Sequence, residues 1–348
     1  IRLDLGDGTG LPIPSPAMDA RLQGAVALSD AMTKGADLAL VDPGLTNDDT
    51  VFLQYTGGTT GLSKGAVLSH GNIVANAEQF KASVPQASNI GSEVMVGALP
   101  MYHIFGLTLS IAYLSLGGKV VLIPNPRDMD SFVDAVKSAG ITVMPGANTL
   151  FAGMAMHPRV TEIDFSALKI SIGGGAAVIE ATSESWKAIT GKHIKEGYGL
   201  SETSPLLCIN PASVDHFTGT CGLPVPSSDV KLLDGDDNEA PIGERGEICC
   251  TGPQVMSGYW NNDAANADVF TKDGYFRTGD IGVFDNAGFL KIVDRKKDMI
   301  IVSGFNVFPN EIEAVVTACT GVAECACIGV PDEKTGEVRH CYANCRAR

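Results

Sequence analysis

Short apolar runs alternate with amphipathic segments through the middle of the chain. The runs predict four buried strands, at 94–99, 119–123, 141–144 and 168–172. Between and after them, apolar residues recur at helical intervals and predict helices over 100–116, 129–139, 150–156 and 178–190. Strands that alternate with helices at this spacing are typical of a mostly parallel sheet covered by helices on both faces, so the predicted fold class is α/β. In such sheets, ligands bind beyond the carboxyl ends of the strands.

The pattern changes after Asp215, where short strands and turns replace this alternation. Apolar runs within 221–250 flank the turn Asp234–Asn238, as in antiparallel strands. The charged run Asp294–Asp298 then precedes a strand at 299–302, a helix at 309–318 and a strand at 323–330, whereas 338–348 show no apolar strand pattern. We therefore predict an α/β core at 1–215 that lacks its N-terminal part, a β-rich subdomain of that core at 216–293, a hinge at 294–298 and a small, incomplete α+β C-terminal domain at 299–348.

Charge and composition exclude several classes of protein. A net charge of -15 argues against a nucleic-acid surface, which would show a basic stripe. Hydrophobic residues at 45% and charged residues at 19% are typical of a globular protein. No apolar run approaches the ~18 residues that span a bilayer, and the start at Ile1 shows no signal-peptide pattern. Because the chain does not begin with Met, we expect a piece of a longer protein.

The cysteines indicate a reducing compartment. There are nine of them, an odd number without a C-x-x-C pair, which predicts reduced thiols and a cytoplasmic location. His340, Cys341 and Cys345 resemble half of a zinc site, but the sequence shows no second pair of ligands.

The stretch from Tyr55 to His70 is the strongest candidate for chemistry. It follows the apolar run Val51–Leu53 and precedes a helical pattern at 72–80, so the predicted order is strand, loop, helix. Four glycines allow backbone N–H groups to turn inward, threonine and serine hydroxyls add donors, and Lys64 adds a positive charge. Such a surface is suited to a polyphosphate. It is not a Walker A motif, because Gly65 rather than Ser or Thr follows Lys64.

Two alternatives remain open for this stretch. A Gly-, Thr- and Ser-rich segment is also typical of a surface loop without a ligand. In addition, Gly61–Gly65 fits the G-x-S-x-G pattern of serine hydrolases with Ser63 as nucleophile. That motif places the serine directly after a buried strand, whereas Ser63 lies ten residues beyond Leu53 in a polar segment.

Four spaced motifs resemble one known family, the acyl-adenylate-forming superfamily, which includes acyl-CoA synthetases, luciferases and adenylation domains. The motifs span Tyr55–Lys64, Gly197–Thr203, Tyr275–Asp280 and Asp294–Gly304. The stretch Val293–Glu313 is most similar to bacterial long-chain fatty-acid CoA ligases. The resemblance implies that a fatty acid is activated by ATP through an acyl-adenylate and is then transferred to coenzyme A.

The resemblance also implies roles for individual residues. The phosphate loop would consist of Thr56, Gly57, Gly58, Thr59, Thr60, Gly61 and Lys64. Thr56 and Glu202 would bind Mg²⁺, which prefers oxygen ligands. Tyr198 would stack on adenine, although a tyrosine considered alone is more often part of a core. Gly174, Gly175 and Ala176 would let the backbone lie close against the purine, and their alternative is a plain turn. Gly199 and Ser201 would also bind the nucleotide, and the Ser201 hydroxyl would contact phosphate.

Further roles follow from the later motifs. Asp280 would accept both ribose hydroxyls, and Arg295 would help to hold ribose and phosphate. Lys297 aligns with the hinge residue of the family, and Ser303 and Gly304 align with the segment that meets the pantetheine arm. His103 would lie beside the acyl pocket, although a single histidine is more often structural. Lys64, His103, Glu202 and Lys297 are therefore the candidate catalytic residues.

One departure from the family pattern concerns the C-terminal catalytic lysine. Only Lys334 follows Glu324, and it falls too early in the sequence to match. The alternatives to a fatty-acid ligase are therefore a ligase for aryl acids, an acyl-AMP ligase that feeds a carrier protein, and a non-catalytic nucleotide-binding remnant. Peripheral contact with the inner face of the membrane and a homodimer of the full-length protein stay open.

Overall fold

The protein, in this computed structural model, is described at residues 21, 24–56, 63–302, 305–317, 319, 321–332 and 336–345. Residues Ile1–Leu45 and Thr46–Arg348 form two compact units. In the described part of the first unit lies the helix α1 (Leu28–Gly35). No helix in the described ranges is both long enough and apolar enough to cross a membrane.

The second unit contains seven α-helices and seventeen strands within its described residues. The helices are α2 (His70–Ser83), α3 (Ile104–Ser115), α4 (Met129–Val136), α5 (Asn148–Met156), α6 (Glu180–Thr190), α7 (Asp263–Val269) and α8 (Pro309–Thr317). The first nine strands are β1 (Thr50–Tyr55), β2 (Gly65–Ser69), β3 (Val94–Gly97), β4 (Lys119–Leu122), β5 (Val143–Gly146), β6 (Ile170–Gly173), β7 (Ile194–Gly199), β8 (Leu206–Ile209) and β9 (Leu223–Pro224). The others are β10 (Asp229–Leu233), β11 (Arg245–Thr251), β12 (Phe276–Phe284), β13 (Leu290–Arg295), β14 (Ile300–Val302), β15 (Phe305–Val307), β16 (Val322–Asp332) and β17 (Gly336–Cys345).

The central sheet confirms the α/β prediction. Its seven strands lie in the order β4-β3-β5-β6-β7-β8-β9. The pairs from β4 to β7 are parallel, and β8 and β9 add two antiparallel strands at one edge. The four strands predicted from apolar runs are β3, β4, β5 and β6, each within a few residues of the expected bounds.

Both faces of this sheet are buried by helices. Successive residues of a strand point to opposite faces, and Met95 and Val96 of β3 accordingly belong to two different buried clusters. Met95 packs with Phe80 of α2 and Tyr113 of α3. On the other face, Val96 shares a cluster with Trp186 of α6, whose Nε1 donates to Ser171 Oγ at 2.8 Å. Full burial of one such aromatic side chain contributes roughly 3 kcal/mol.

The predicted order of strand, loop and helix around Lys64 is wrong in one respect. A second strand, β2, pairs antiparallel with β1 in a register from Thr50 opposite Ser69 to Tyr55 opposite Gly65. The segment is therefore a hairpin, and α2 follows directly. Ser69 caps this helix, because its Oγ accepts from Asn72 N at 3.1 Å while Asn72 Oδ1 accepts from Ser69 N at 2.9 Å.

The β-rich region forms a four-stranded antiparallel sheet in the order β10-β11-β12-β13. It is joined to the end of the central sheet beside β9. Leu290 N donates to Gly222 O and Cys221 N donates to Leu290 O, each at 2.8 Å. One buried cluster includes Tyr198 of β7, Ile248 of β11 and Leu290 of β13, so a continuous core lies between the two sheets.

The C-terminal sheet has the order β15-β14-β17-β16. With α8, it forms a segment at residues 299–345 that we call the lid. The expectation that residues 338–348 lack a strand is wrong for the described part, since β17 pairs antiparallel with β16 from Val322 opposite Cys345 to Asp332 opposite Gly336. A long pairing partner supplies backbone hydrogen bonds that do not depend on an apolar pattern. The proposed boundaries at 215, 293 and 298 stay predictions.

Candidate functional site

Two residues predicted to act together, Tyr198 and Asp280, are in direct contact. Tyr198 lies at the end of β7 and Asp280 lies in β12, on a different sheet. The Tyr198 hydroxyl donates to Asp280 Oδ2 at 2.7 Å, and the tyrosine is only 8% exposed. The contact joins the carboxyl end of β7, in the central sheet, to β12 of the antiparallel sheet. We call this junction the β7–β12 edge.

The electrostatics of Asp280 are unusual for an aspartate. Burial raises its pKa, while the Tyr198 hydroxyl and the positive charges of Arg295 and Lys297 oppose this rise. Arg295 lies opposite Asp280 in the β12–β13 register, with its Nε 3.8 Å from Asp280 Oδ1. Arg295 is exposed, so it can turn toward a ligand without leaving the sheet.

A second carboxylate, Glu202, lies four residues after Tyr198 in the 3₁₀ turn Ser201–Thr203. It is 8% exposed, and its Oε1 accepts from the Tyr259 hydroxyl at 2.7 Å. The ring of Tyr259 in turn lies 4.9 Å from Lys64 Nζ, a cation–π contact. Burial and the neighbouring Glu202 raise the pKa of Tyr259, so the tyrosine stays a hydrogen-bond donor at neutral pH.

The hairpin brings two of the phosphate-loop candidates, Thr56 and Lys64, close to Glu202. Thr56 N donates to Lys64 O at 2.9 Å, which closes the hairpin beyond β1 and β2. Both strands contact the turn that contains Glu202. Trp260 N also donates to Gly65 O at 2.8 Å. Thr56, Lys64 and Glu202 therefore lie in neighbouring segments, whereas the predicted loop residues Gly57, Gly58, Thr59, Thr60 and Gly61 lie outside the described residues.

Glycines at the edge allow close approach of the backbone. A Cβ on Gly199 would lie 2.0 Å from Pro205 O, so only glycine fits the sharp reversal between Tyr198 and Glu202. A Cβ on Gly174 would lie 3.0 Å from the ring of Phe105 in α3. Gly175 has a φ of +77° and, like Ala176, is exposed. The segment after β6 is therefore an open turn that faces the start of α3.

The remaining predicted residues lie in the turn after β7, at the start of α3 and beyond β13. Ser201 opens the 3₁₀ turn and is partly buried. His103 is the N-cap of α3, where its Nδ1 accepts from Phe105 N at 3.2 Å, and desolvation lowers its pKa. Lys297 is exposed just beyond β13. Ser303 and Gly304 lie outside the described residues.

Sequence reasoning missed two residues of this edge. Tyr259 is one of them, because its partner Glu202 lies 57 positions away in sequence. Glu196 is the other. It is a partly buried residue of β7 whose carboxyl accepts from the backbone N–H of Val178, and burial raises its pKa to about 7. The run Glu196-Gly-Tyr-Gly-Leu-Ser-Glu202 was a signal, since a carboxylate in a buried strand seldom lacks a role.

The described residues contain no cluster of three or more His, Cys, Asp and Glu side chains suited to a metal ion. Mg²⁺ in nucleotide sites needs fewer protein ligands, because it is held by one or two carboxylates together with water and phosphate oxygens. Glu202 fits this chemistry. Its Oε1 is occupied by the Tyr259 hydroxyl, and a carboxylate has a second oxygen that can coordinate a cation.

The geometry around Ser63 differs from that of a hydrolase nucleophile. Ser63 is exposed and precedes β2 in the hairpin, rather than following a buried strand at a strand-to-helix turn. The G-x-S-x-G match is therefore coincidental.

The comparisons with known proteins agree with this geometry. The profile of the AMP-binding enzyme family matches residues 15–260, and that of the AMP-binding enzyme C-terminal domain matches residues 311–347. A long-chain-fatty-acid–CoA ligase of Yersinia pestis is 49% identical over 317 residues, which cover 91% of this chain and 56% of that protein. The chain therefore spans little more than half the length of this curated relative.

Two further similarities concern related enzymes. A feruloyl-CoA synthase of Amycolatopsis is 37% identical over 292 residues, covering 84% of this chain and 58% of that protein. The crystal structure of ATP-bound MatB from Rhodopseudomonas palustris is 34% identical with a TM-score of 0.81, covering 88% of this chain and 60% of that one. These matches confirm the resemblance drawn from the four motifs.

Proposed function

Because the chain belongs to the AMP-binding enzyme family, we propose that it forms part of a long-chain fatty-acid CoA ligase. In the first half-reaction, a fatty-acid carboxylate oxygen attacks the α-phosphorus of ATP, forming an acyl-adenylate and releasing pyrophosphate. In the second, the thiol of coenzyme A attacks the acyl carbon and AMP leaves. Similarity to curated ligases of this name supports the substrate class.

The observation behind this proposal is the contact between Tyr198 and Asp280. It puts a carboxylate that is 14% exposed beside an aromatic ring at the carboxyl end of a sheet strand. The free Oδ1 of Asp280 faces Arg295, so the aspartate can accept ribose hydroxyls while the guanidinium approaches a phosphate. The neighbouring turn at Gly174–Ala176 leaves room for a flat purine base against the backbone.

Repulsion between anions is the main barrier to adenylation. A carboxylate must approach a triphosphate, and the positive charge of Lys64 reduces that repulsion. Bound Mg²⁺ would neutralise further phosphate charge, with Glu202 and Thr56 as its protein ligands. The hydroxyl of Tyr259 fixes the orientation of Glu202 before the nucleotide binds. The loop 57–61 would then supply backbone N–H donors to the β- and γ-phosphates.

The remaining candidates have roles outside the nucleotide. Desolvation lowers the pKa of His103, so its ring is neutral at pH 7 and can line a pocket for an apolar chain. Phe105, two residues further on, lies against Gly174, so the start of α3 is adjacent to the proposed adenine turn. Lys297 would be the hinge about which the lid turns between half-reactions, and Ser303 and Gly304 would contact the pantetheine arm.

ATP binding by the Asp280→Ala variant tests the nucleotide site. Loss of a charge-assisted hydrogen bond to ribose should weaken ATP binding by about 10- to 100-fold in calorimetric titration. Asp236→Ala, in the exposed turn before β11, is the matched control and should bind as the parent does. Equal affinity in the Asp280 variant and the parent would remove Asp280 from the site.

Pyrophosphate exchange across a series of acids tests the substrate class. We expect exchange to be greatest with long-chain fatty acids and thioester to form on addition of coenzyme A. ATP binding without exchange for any acid would instead favour the non-catalytic remnant.

An aryl-acid ligase is the second candidate, because the feruloyl-CoA synthase of Amycolatopsis is 37% identical. Greatest exchange with a hydroxycinnamate would favour it. Exchange without thioester formation on coenzyme A would favour an acyl-AMP ligase. Peripheral binding to the inner face of the membrane and a homodimer of a longer chain are further parts of the proposal, supported by the resemblance alone.

A further inference from the structure

The lid is tied to the rest of the second unit by a buried carboxylate, that of Asp294 at the end of β13. Its Oδ2 accepts from Asn310 N at 3.0 Å, and its Oδ1 accepts from Asn310 Nδ2 at 3.1 Å and from Arg295 N at 2.8 Å. Asp294 is only 2% exposed. Asn310 belongs to the first turn of α8, where an unpaired backbone N–H and the helix dipole both favour a negative charge.

A second tie between the lid and the β10–β13 sheet is exposed. Arg245 of β11 pairs with Glu311 of α8 at 2.5 Å, and its guanidinium lies 4.5 Å from the ring of Phe308. The two charged side chains are 44% and 51% exposed. An exposed ion pair contributes less than hydrogen bonds to a buried charge, because water and salt screen it and its long side chains lose entropy. Asp294 is therefore the stronger tie.

The chain just before the lid is also held on the β10–β13 sheet, through Lys296. Lys296 N donates to Gly279 O at 2.9 Å, and Lys296 Nζ lies 2.9 Å from Glu247 Oε2. Glu247 is buried in β11 and also pairs with Arg277 at 3.1 Å. The backbone is thus fixed to the β10–β13 sheet up to Lys296, and any rotation of the lid begins beyond it.

We propose that Asp294 is a positioning residue that fixes one orientation of the lid on the β10–β13 sheet, acting through Asn310. Rotating α8 away would remove two of the three donors of a buried carboxylate, and the loss of those donors is the physical reason why this orientation is preferred. The consequence for catalysis rests on the proposed function: releasing this tie is a required step whenever the lid changes position between half-reactions.

The experiment compares amide hydrogen exchange in the full chain and three variants. In Asp294→Asn, an amide NH₂ replaces Oδ2 and confronts the N–H of Asn310, so the tie is lost without a change of size. In Asn310→Asp, at an exposed position, two carboxylates oppose each other. The double variant Asp294→Asn with Asn310→Asp restores one donor–acceptor pair with the charge moved to α8. Val315→Ala, on the exposed surface of the same helix, is the control.

We expect exchange of the amides in 305–317 to accelerate by about tenfold or more in each single variant and to return toward the parent rate in the double variant. Exchange in the β10–β13 sheet and in Val315→Ala should be unchanged. Parent-like exchange of 305–317 in both single variants would overturn the proposal, as would failure of the double variant to restore it. If the parent showed no pyrophosphate exchange, the proposed function would fail, yet hydrogen exchange would still test Asp294.

Discussion

The carboxylates of the β7–β12 edge have fewer hydrogen-bond and ion-pair partners than Asp294 and Glu247. These two residues lie where the lid joins the β10–β13 sheet, a place that we call the base of the lid. At the edge, Glu202 and Asp280 each accept one tyrosine hydroxyl at 2.7 Å, Asp280 also lies 3.8 Å from Arg295, and Glu196 accepts one backbone N–H. At the base of the lid, Asp294 accepts three hydrogen bonds and Glu247 pairs with two cations. Glu202, Asp294 and Glu247 are buried, and Asp280 and Glu196 are partly buried, so the contrast is mainly one of hydrogen bonding and charge.

This contrast distinguishes carboxylates suited to bind a ligand from carboxylates that hold two parts of the chain in place. A buried carboxylate with an unused oxygen is costly in the free protein and can gain partners from a ligand, a feature typical of binding sites. A carboxylate whose partners all come from the protein contributes to one geometry of the chain. Burial raises the pKa of Asp280 and of Glu196, which shows that the edge does not supply enough positive charge to offset burial.

The largest expected effect is that of Glu196→Gln on stability. Burial raises the folded-state pKa of Glu196 to about 7 from its ordinary value of 4.5, so the folded protein binds more protons than the unfolded chain between these values. The parent should therefore lose stability as pH rises from about 5 to 7, by about 3 kcal/mol in total. Glutamine keeps the acceptor for Val178 without the charge. The variant should match the parent at pH 4.5 and exceed it at pH 8 in urea unfolding.

The control for this prediction is Glu244→Gln, a substitution in the exposed turn before β11. It should leave the pH dependence of the urea midpoint as in the parent. If the stability of the parent and of Glu196→Gln depended on pH in the same way, the carboxylate of Glu196 would have enough partners to offset its burial, against the prediction. The carboxylates of the edge and those at the base of the lid would then not differ in how well their charge is offset.

A smaller effect is expected for Tyr259→Phe. Removing the hydroxyl leaves Glu202 without the donor that orients it, at a cost of about 1 kcal/mol. ATP affinity measured with magnesium should fall by up to about tenfold, while affinity in the presence of a chelator should stay the same. Tyr275→Phe is the matched control, because the Tyr275 hydroxyl bonds to Asp229 at the exposed side of the same sheet as Asp280. An equal loss with and without magnesium would argue against Glu202 as a metal ligand.

The smallest effect is expected at the base of the lid, for Arg245→Ala. Its partner Glu311 is half exposed, so the change should cost under about 1 kcal/mol in unfolding free energy. Hydrogen exchange in 305–317 should accelerate less than in Asp294→Asn. If Arg245→Ala released the lid as strongly as Asp294→Asn, the exposed pair rather than the buried carboxylate would be the main tie.

Most of the central fold was predictable from the sequence, and the exceptions have physical reasons. The strands at 94–99 and 168–172 were found because both of their faces are buried, which produces continuous apolar runs. The strand β2 was missed because Gly65–Ser69 is short and joins α2 without an intervening loop. The strand β17 was missed because its pairing with β16, rather than an apolar pattern, accounts for its formation.

The site was predictable only where a motif named its residues. The motifs named Tyr198, Glu202 and Asp280; the structure puts Tyr198 and Asp280 in contact, and the roles of all three stay predictions. Tyr259 and the tie between Asp294 and Asn310 were not found, because each depends on a partner 57 or 16 positions away in sequence. Pattern and propensity describe neighbours along the chain, whereas such contacts follow from the packing of sheets.

The contact between Tyr198 and Asp280 has a consequence for the order of folding. The two residues are separated by 82 positions, and their strands belong to sheets that form independent hydrogen-bond ladders. During synthesis the central strands leave the ribosome first, so the contact between Tyr198 and Asp280 forms only after the antiparallel sheet has formed and docked. If Asp280 binds ribose as proposed, nucleotide affinity reports the assembly of both sheets during refolding rather than the collapse of either one.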